Sequence, residues 1–212
     1  MLVMLAVFDI GTSLFASGST RLELQNELRR IQVVLQTTLR NSNFNSVSVF
    51  NATQVVPLHP PKSTPTLAAE RFGLCFNSLS DTQDPNRYDA TTGLPRWDCY
   101  DLFWASLDIP DGKMIFAKMH DPTPYSTQAV PLPGFSSAVF SLGNTELVAG
   151  EFKILSSRVL QFGCSLDTPN QLVHIRLSVR SAAKGKTAGG KSLVESASIE
   201  YAIRAENTWP RL

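Results

Sequence analysis

The first 56 residues contain no proline, so the chain can form one long helix at its start. In the second half of this stretch, leucine or isoleucine recurs every three or four residues, which is the spacing of one helical face. Asn41, which follows Arg40, is a residue type that tolerates the end of a helix. The pattern predicts a continuous helix of about 60 Å that ends near Arg40. Its apolar face consists of Leu24, Leu28, Ile31, Leu35 and Leu39.

The beginning of this helix is strongly apolar, since residues 1–18 carry a single charge, on Asp9. The run is shorter than the roughly 20 residues that a transmembrane helix needs, and it lacks the Lys or Arg that precedes the apolar core of a signal peptide. We therefore expect the sequence to begin inside a longer apolar helix whose first half projects from the domain. The alternative is a cleaved signal, with Ala16-Ser17-Gly18 as the cleavage site, before an ordinary amphipathic helix.

After Phe44 the helical period ends, and apolar and polar residues alternate as in strands. The last third predicts an antiparallel meander, because its strand-like runs are long and its connections short. The polar face of this meander includes His174, Arg176 and Arg180, whereas the opposite face is apolar and needs a cover. The leucine face of the helix is the predicted cover. The predicted strands are residues 47–56, 69–77, 97–107, 113–119, 151–164, 172–180 and 193–204.

Charge and motifs argue against nucleic-acid binding and catalysis. The chain has 19 basic and 18 acidic residues, so its net charge of +1 supplies no field that would hold a polyanion. It contains no G-x-S-x-G, H-E-x-x-H or glycine-rich phosphate motif, and its three histidines are far apart in sequence. We expect no enzymatic activity, no small-molecule substrate and no resident cofactor.

One segment offers candidate ligands for calcium, which prefers carboxylate and amide oxygens. Asp81, Asp84, Asn86 and Asp89 place four such side chains within nine residues. Their spacing does not match an EF-hand, and an ordinary solvated loop is the alternative. Calcium is therefore the one metal for which the sequence proposes a site.

The three cysteines, Cys75, Cys99 and Cys164, do not have the spacing of a zinc site. If the domain lies outside the cytoplasm, Cys75 and Cys99 could form a disulfide. This bond would close the aspartate-rich loop, residues 78–96, and stabilise it by roughly 3 kcal/mol. Cys164, in an apolar strand, would remain a buried thiol. The alternative is three unpaired cysteines in the core.

The order of these elements, a long helix followed by an antiparallel meander, resembles the type IV pilins and the pseudopilins of type II secretion systems. The first 39 residues are similar to the mature N-terminal helix of that superfamily, beginning several residues in. The helix carries small residues at Gly11, Ala16 and Gly18. The end of the chain, with LVHIRLSVR, a loop and SIEYAIRAEN, resembles the minor pseudopilins of the J class, and Arg204 and Asn207 stand close to the closing Arg and Asn of that group.

The resemblance implies an α+β fold, in which a long helix packs on an antiparallel β-meander in a pilin-like head. Residues 1–19 would form the apolar half of the helix, residues 20–41 its amphipathic half, and residues 42–212 the head. The implied function is that of a structural subunit that assembles through its N-terminal helix at the tip of a filament. Before assembly this helix would lie in the inner membrane, with the head in the periplasm or outside the cell. Leu14, Phe15 and Leu22 would contact the helices of other subunits.

Several family features are missing from this sequence: the leader, the Gly before the cleavage site, the N-methylated Phe and the Glu that follows it. No residue here can carry those roles, which agrees with a sequence that begins inside the helix. A second hypothesis is a secreted or surface-anchored binding module, for example for glycans. It would use the aromatic residues Trp97, Tyr100, Phe103 and Trp104, and it requires Trp104 to be exposed.

Overall fold

The structure is a computed structural model that describes residues 2–60, 62, 64–121, 124–132, 152–186 and 192–206. Residue 151, at the start of a predicted strand, and Asn207 lie outside the described residues. Within them the chain forms one α-helix, nine strands and two short 3-10 turns. The elements are α1 (Leu2–Arg40), β1 (Ser48–Phe50), β2 (Thr53–Pro57), β3 (Thr66–Glu70), β4 (Gly73–Ser78), β5 (Cys99–Ala105), β6 (Gly112–His120), β7 (Lys153–Asp167), β8 (Leu172–Lys186) and β9 (Ser192–Arg204).

Hydrogen bonds and charge fix the end of α1. The backbone N–H and the side-chain hydroxyl of Ser42 both donate to the carbonyl oxygen of Leu39, at 3.1 and 2.7 Å. They satisfy a carbonyl that the end of a helix otherwise leaves unpaired. Arg40 lies in the last turn, where a cation is favourable, and pairs with Glu206 at 3.7 Å. The chain then turns toward the sheet.

The strands form two antiparallel sheets. The large sheet has the order β1-β4-β5-β6-β7-β8-β9, and the small one consists of β2 and β3. Strand β7 changes its partner along its length, because its first half pairs with β6 and its second half with β8. The two pairings overlap at Val159, and the register shifts on both sides of this residue. Such shifts are β-bulges, which bend a strand and allow it to join two parts of a sheet.

The predicted α+β class with a pilin-like head is wrong, because the fold is mostly β and is built on a seven-stranded antiparallel half-barrel. The strands of the middle section continue the C-terminal meander into one sheet. Every residue of β4 and of β5 is buried, so these are central strands of the fold. The helix makes most of its contacts with β8 and β9, and other parts of the chain cover the remaining strands of the sheet.

Two of the predicted strands are each divided between the two sheets. Residues 47–56 form β1 in the large sheet and β2 in the small one. Residues 69–77 likewise contribute to β3 and then to β4. The chain crosses between the sheets at Arg71 and Phe72, and the N–H of Phe72 donates to the carbonyl oxygen of Phe162 at 2.9 Å. The sequence pattern cannot show where the chain passes from one sheet to the other, because the strand-like run continues through the crossing.

The main hydrophobic core lies between α1 and one face of the large sheet. The leucine face of the helix is buried there, with four of its five residues fully inaccessible and Leu28 exposed by only 4%. Burial of one such side chain stabilises the fold by about 1.5–3 kcal/mol. The facing residues of β8 are also fully buried; they are Val173, Ile175, Leu177 and Val179.

A second hydrophobic cluster covers the opposite face of β4, β5 and β6. It explains why these strands are apolar on both faces, which is typical of strands that are covered on both sides. The buried members are Cys75, Tyr100, Leu102, Trp104, Ile115, Ala117, Met119 and Leu132.

The two sides of α1 should respond very differently to truncation. Leu35→Ala removes a fully buried side chain and should lower the free energy of unfolding by about 2–5 kcal/mol, since it leaves a cavity. Val33→Ala, at a position that is 60% exposed, is the matched control and should change it by less than about 0.5 kcal/mol. Urea unfolding followed by circular dichroism measures both. Equal effects would contradict the packing of α1 described above.

Candidate functional site

The side of α1 that faces away from the sheet carries exposed apolar side chains. Phe15 is 80% exposed, Leu22 61% and Val33 60%. They lie seven and eleven residues apart, which is about two and three helical turns, so they form one line on the helix. Leu14, beside Phe15, is 67% exposed. We call Leu14, Phe15, Leu22 and Val33 the outward row; exposed apolar surface of this kind marks a place for interaction.

Polar contacts prevent α1 from rotating on the sheet and so fix the direction of the outward row. On one flank, Arg21 lies 3.6 Å from the carboxylate of Glu195, which also accepts a hydrogen bond from the hydroxyl of Ser17. Glu195 is 9% exposed, so this carboxylate is held within the interface. On the other flank, the guanidinium of Arg30 donates to the carbonyl oxygen of Leu155.

A groove of about 580 Å³ runs between α1 and the first half of β7. Arg158 of β7 lies 3.7 Å from the carboxylates of both Glu23 and Glu27. The charges of the groove are therefore paired with one another. Partly exposed ion pairs of this kind contribute only about 0–1 kcal/mol each, so the groove is mainly a joint between helix and strand.

The carboxylates proposed for calcium bind to their own loop. Asp81 accepts from the N–H of Gln83 at 2.8 Å, and Asp84 accepts from Asn86 at 2.9 Å. Asp89 accepts three hydrogen bonds from the residues at 91 and 92. Those bonds, first of all the one from the backbone at 92, lower the pKa of Asp89. Among the described residues no three His, Cys, Asp or Glu side chains are grouped as metal ligands.

An ion pair closes the aspartate-rich loop. The guanidinium of Arg87 lies 2.8 Å from the carboxylate of Asp98, which is 7% exposed. The same carboxylate accepts from the backbone N–H of Ser80 at 2.8 Å and from its hydroxyl at 2.5 Å. The ring of Tyr125 lies 5.2 Å from the guanidinium carbon of Arg87, within range of a cation–π contact. These contacts connect the beginning of the loop to its end.

The predicted disulfide between Cys75 and Cys99 is wrong, since both cysteines, like Cys164, are free thiols. Cys75 is opposite Leu102 in the register of β4 and β5, whereas Cys99 is opposite Ser78. The two cysteines are therefore displaced by three positions and point to opposite faces of the sheet. Side chains on opposite faces cannot be joined by a disulfide. Burial raises the pKa of Cys75, and it raises the pKa of Cys99 to about 12.

The three thiols should be unreactive in the folded protein. Because the thiolate is the reactive form and burial keeps these groups protonated, Ellman's reagent at pH 8 should label none of them before unfolding. In denaturant without reductant, all three should react. Recovery of a single reactive thiol after unfolding would instead demonstrate a disulfide.

The aromatic residues proposed for a binding module belong to the core. Trp97 is 2% exposed and Trp104 5%, while Tyr100 and Phe103 are fully buried. The hydroxyl of Tyr100 donates to the carbonyl oxygen of Val130 at 3.1 Å. These four side chains are therefore not available to a ligand in solution.

A buried arginine, Arg180, connects three parts of the chain. Its position in the alternation of β8 assigns it to the polar face. Arg180 is 2% exposed, and its Nε donates to the carboxylate of Asp111 at 2.5 Å. Its Nη1 donates to the carbonyl oxygens of Pro57 and Leu58 at 2.6 and 3.0 Å. Its Nη2 donates to the carbonyl oxygen of Pro110 at 2.8 Å. Arg180 thus attaches the small sheet and the β5–β6 connection to β8.

A second buried arginine lies where β7 changes partner. The Nη1 of Arg71 donates to the carbonyl oxygen of Val159, while its Nε and Nη2 have no hydrogen-bond partner among the described residues. Desolvation lowers the pKa of Arg71 to about 10, against the opposing charge of Asp111. Glycine is required at 112, because a Cβ there would contact this guanidinium and lie 2.5 Å from the carbonyl oxygen of Ser106.

Loss of the Arg180 contacts should destabilise the fold strongly. Arg180→Met removes a buried guanidinium and leaves three carbonyl oxygens and a carboxylate without this donor, so it should lower the free energy of unfolding by about 3–5 kcal/mol. Arg176→Met is the control on the same strand; its side chain is 51% exposed, and its ion pairs are worth about 0–1 kcal/mol. Chemical denaturation of both variants tests this. A small effect of Arg180→Met would exclude its connecting role.

A polar cavity of about 370 Å³ lies between the last turn of α1 and the ends of β4, β5 and β6. Its wall includes Ser78, Asp101 and Lys118 from the strands and Tyr88 from the aspartate-rich loop. This cavity could not be predicted from the sequence, because it is formed by four segments that are distant along the chain. The sequence signal that could have indicated this cavity was Asp101, a charged residue within the mostly apolar run that forms β5.

No family model matches the chain, and neither the curated proteins nor the solved structures compared with it include a match. In the described part of the chain, no helix is both long enough and apolar enough to cross a membrane.

Proposed function

We propose that the chain is a non-enzymatic structural subunit that assembles with other subunits through the outward face of α1. The observation that carries this proposal is the outward row. Its four apolar side chains are 60–80% exposed, on a helix whose opposite side packs on its own sheet. Exposed apolar side chains on one line of a helix suit the contact of one helix with another.

The class of assembly that we propose is the type IV pilus or the type II secretion pseudopilus, with this chain as a minor subunit. A 39-residue helix at the start of the chain supports this proposal. Its first part extends beyond the leucine face that packs on the sheet. The large half-barrel head is a departure from the pilin-like head that the resemblance implies. The proposal therefore rests on the helix and not on the head. In this proposal the apolar start of the helix contacts the inner membrane before assembly, and the head lies in the periplasm.

The proposal can be tested by photo-crosslinking from the outward row. Benzoylphenylalanine at position 22, in the full chain expressed in its native host, should crosslink to the apolar N-terminal helix of another subunit, either a second copy or a related chain. The same group at position 23 is the matched control, because Glu23 is exposed but lies about 100° around the helix from Leu22, beside the groove with β7. Mass spectrometry identifies the crosslinked peptide.

A second variant separates assembly from folding. Phe15→Asp introduces a charge at a position that is 80% exposed, so it should abolish the crosslink from position 22 without lowering the melting temperature. Crosslinks that occur equally from positions 22 and 23, or that join only lipid or non-helical segments, would refute assembly through the outward row.

A further inference from the structure

The polar cavity at the end of α1 interrupts an otherwise apolar face of the sheet. Asp101 and Lys118 are paired in the register of β5 and β6, and Phe103 and Phe116 are paired two positions further along the same face. The phenylalanines belong to the main core, whereas Asp101 and Lys118 line the cavity. The Asp101 side chain is 4% exposed and that of Lys118 16%. A buried ion pair is often less stable than apolar residues of similar size, so its presence here needs a reason other than stability.

The charges in this wall cancel, which argues against an ionic ligand. Lys118 Nζ lies 3.6 Å from Asp101 Oδ1 and donates to the carbonyl oxygen of Leu79 at 2.8 Å. An anion would meet the carboxylate, and a cation would meet the ammonium group. The wall therefore suits a neutral molecule that presents both hydrogen-bond donors and acceptors.

Four hydroxyl groups of the wall are already used as donors. Ser78 donates to Asp101 at 2.8 Å, and Tyr88 donates to the carbonyl oxygen of Thr82 at 2.9 Å. Thr37 and Thr38, on the helix, donate to carbonyl oxygens of the preceding turn at 2.8 and 2.9 Å. Each of these oxygens can therefore only accept from a ligand. A ligand with several O–H donors matches this set.

Part of the remaining wall is apolar and is held in place by contacts of its loop. The rings of Tyr88 and Pro95 line the cavity, and their residues form a β-bridge with each other. The 2.8 Å ion pair between Arg87 and Asp98 fixes the same loop to the sheet. A volume of about 370 Å³ lies at the lower end of the range for small-molecule sites.

We propose that this cavity binds the ring of a neutral sugar, whose hydroxyl groups meet Asp101, Lys118 and the threonines while its C–H face lies against Tyr88 and Pro95. The site is separate from the outward row and does not depend on the assembly function. It is a binding site, with no reaction assigned to it.

The test is a titration of the full chain with glucose, galactose, mannose and N-acetylglucosamine at millimolar concentration, followed by ¹H–¹⁵N NMR. At least one of these sugars should give saturable shifts that are confined to the cavity residues. Lys118→Met should weaken this binding about tenfold, as expected for loss of a hydrogen bond to a charged group. Lys113→Met, an exposed lysine outside the cavity, is the control and should leave it unchanged.

Thr38→Val preserves the ion pair and removes one acceptor, so it should also weaken binding even if Lys118→Met fails to fold. Inorganic phosphate is the competing probe. Saturable shifts with phosphate but not with the sugars would make this an anion site and overturn the proposal. Absence of saturable shifts with all four sugars, or equal binding by the Thr38→Val variant, would overturn it as well.

Discussion

The contact between the leucine face of α1 and β8–β9 is the interaction on which the rest of the structure depends. It supplies a large part of the main core, in which Leu24, Ile31, Leu35 and Leu39 are all fully buried. Since the helix cannot rotate within this contact, the same packing decides which side chains remain outside. It also places the last turn of the helix over the ends of β4–β6, where the polar cavity forms. Core, outward row and cavity are therefore three consequences of one packed interface.

Much of the local structure could be predicted from the sequence, because it depends on periodicity. The leucine repeat predicts both the helix and its buried face, and the C-terminal alternation predicts the apolar face of β8. The architecture could not be predicted in the same way. Residues 69–77 form a single strand-like run in the sequence, yet they change sheets at Arg71, since the crossing depends on a distant partner in β7. The continuity of the large sheet through β7 is also non-local, so the fold class was predicted wrongly.

The sequence alone was also insufficient to predict how the candidate site residues are arranged. The aspartates at 81, 84 and 89 are close in sequence, but each carboxylate turns back to its own backbone, as Asp side chains in loops commonly do. Cys75 and Cys99 frame a loop, but the register of two strands, which no spacing reveals, separates them. Arg180 occupies a polar position of the alternation and is nevertheless buried, because a second sheet packs over it. Contacts between distant segments decide the last two cases, whereas the aspartates are occupied by hydrogen bonds within their own loop.

The change of partner in β7 has a mechanical consequence. A force applied to α1 passes by side-chain packing to β8 and β9, and within the large sheet it then reaches β4, β5 and β6 through β7, whose pairing with β6 is irregular. Arg180 transmits force outside the sheet, because it joins β8 to the small sheet and to the connection between β5 and β6. The strands under the helix and those under the second hydrophobic cluster are therefore coupled mechanically both by the backbone pairing of β7 and by the side chain of Arg180.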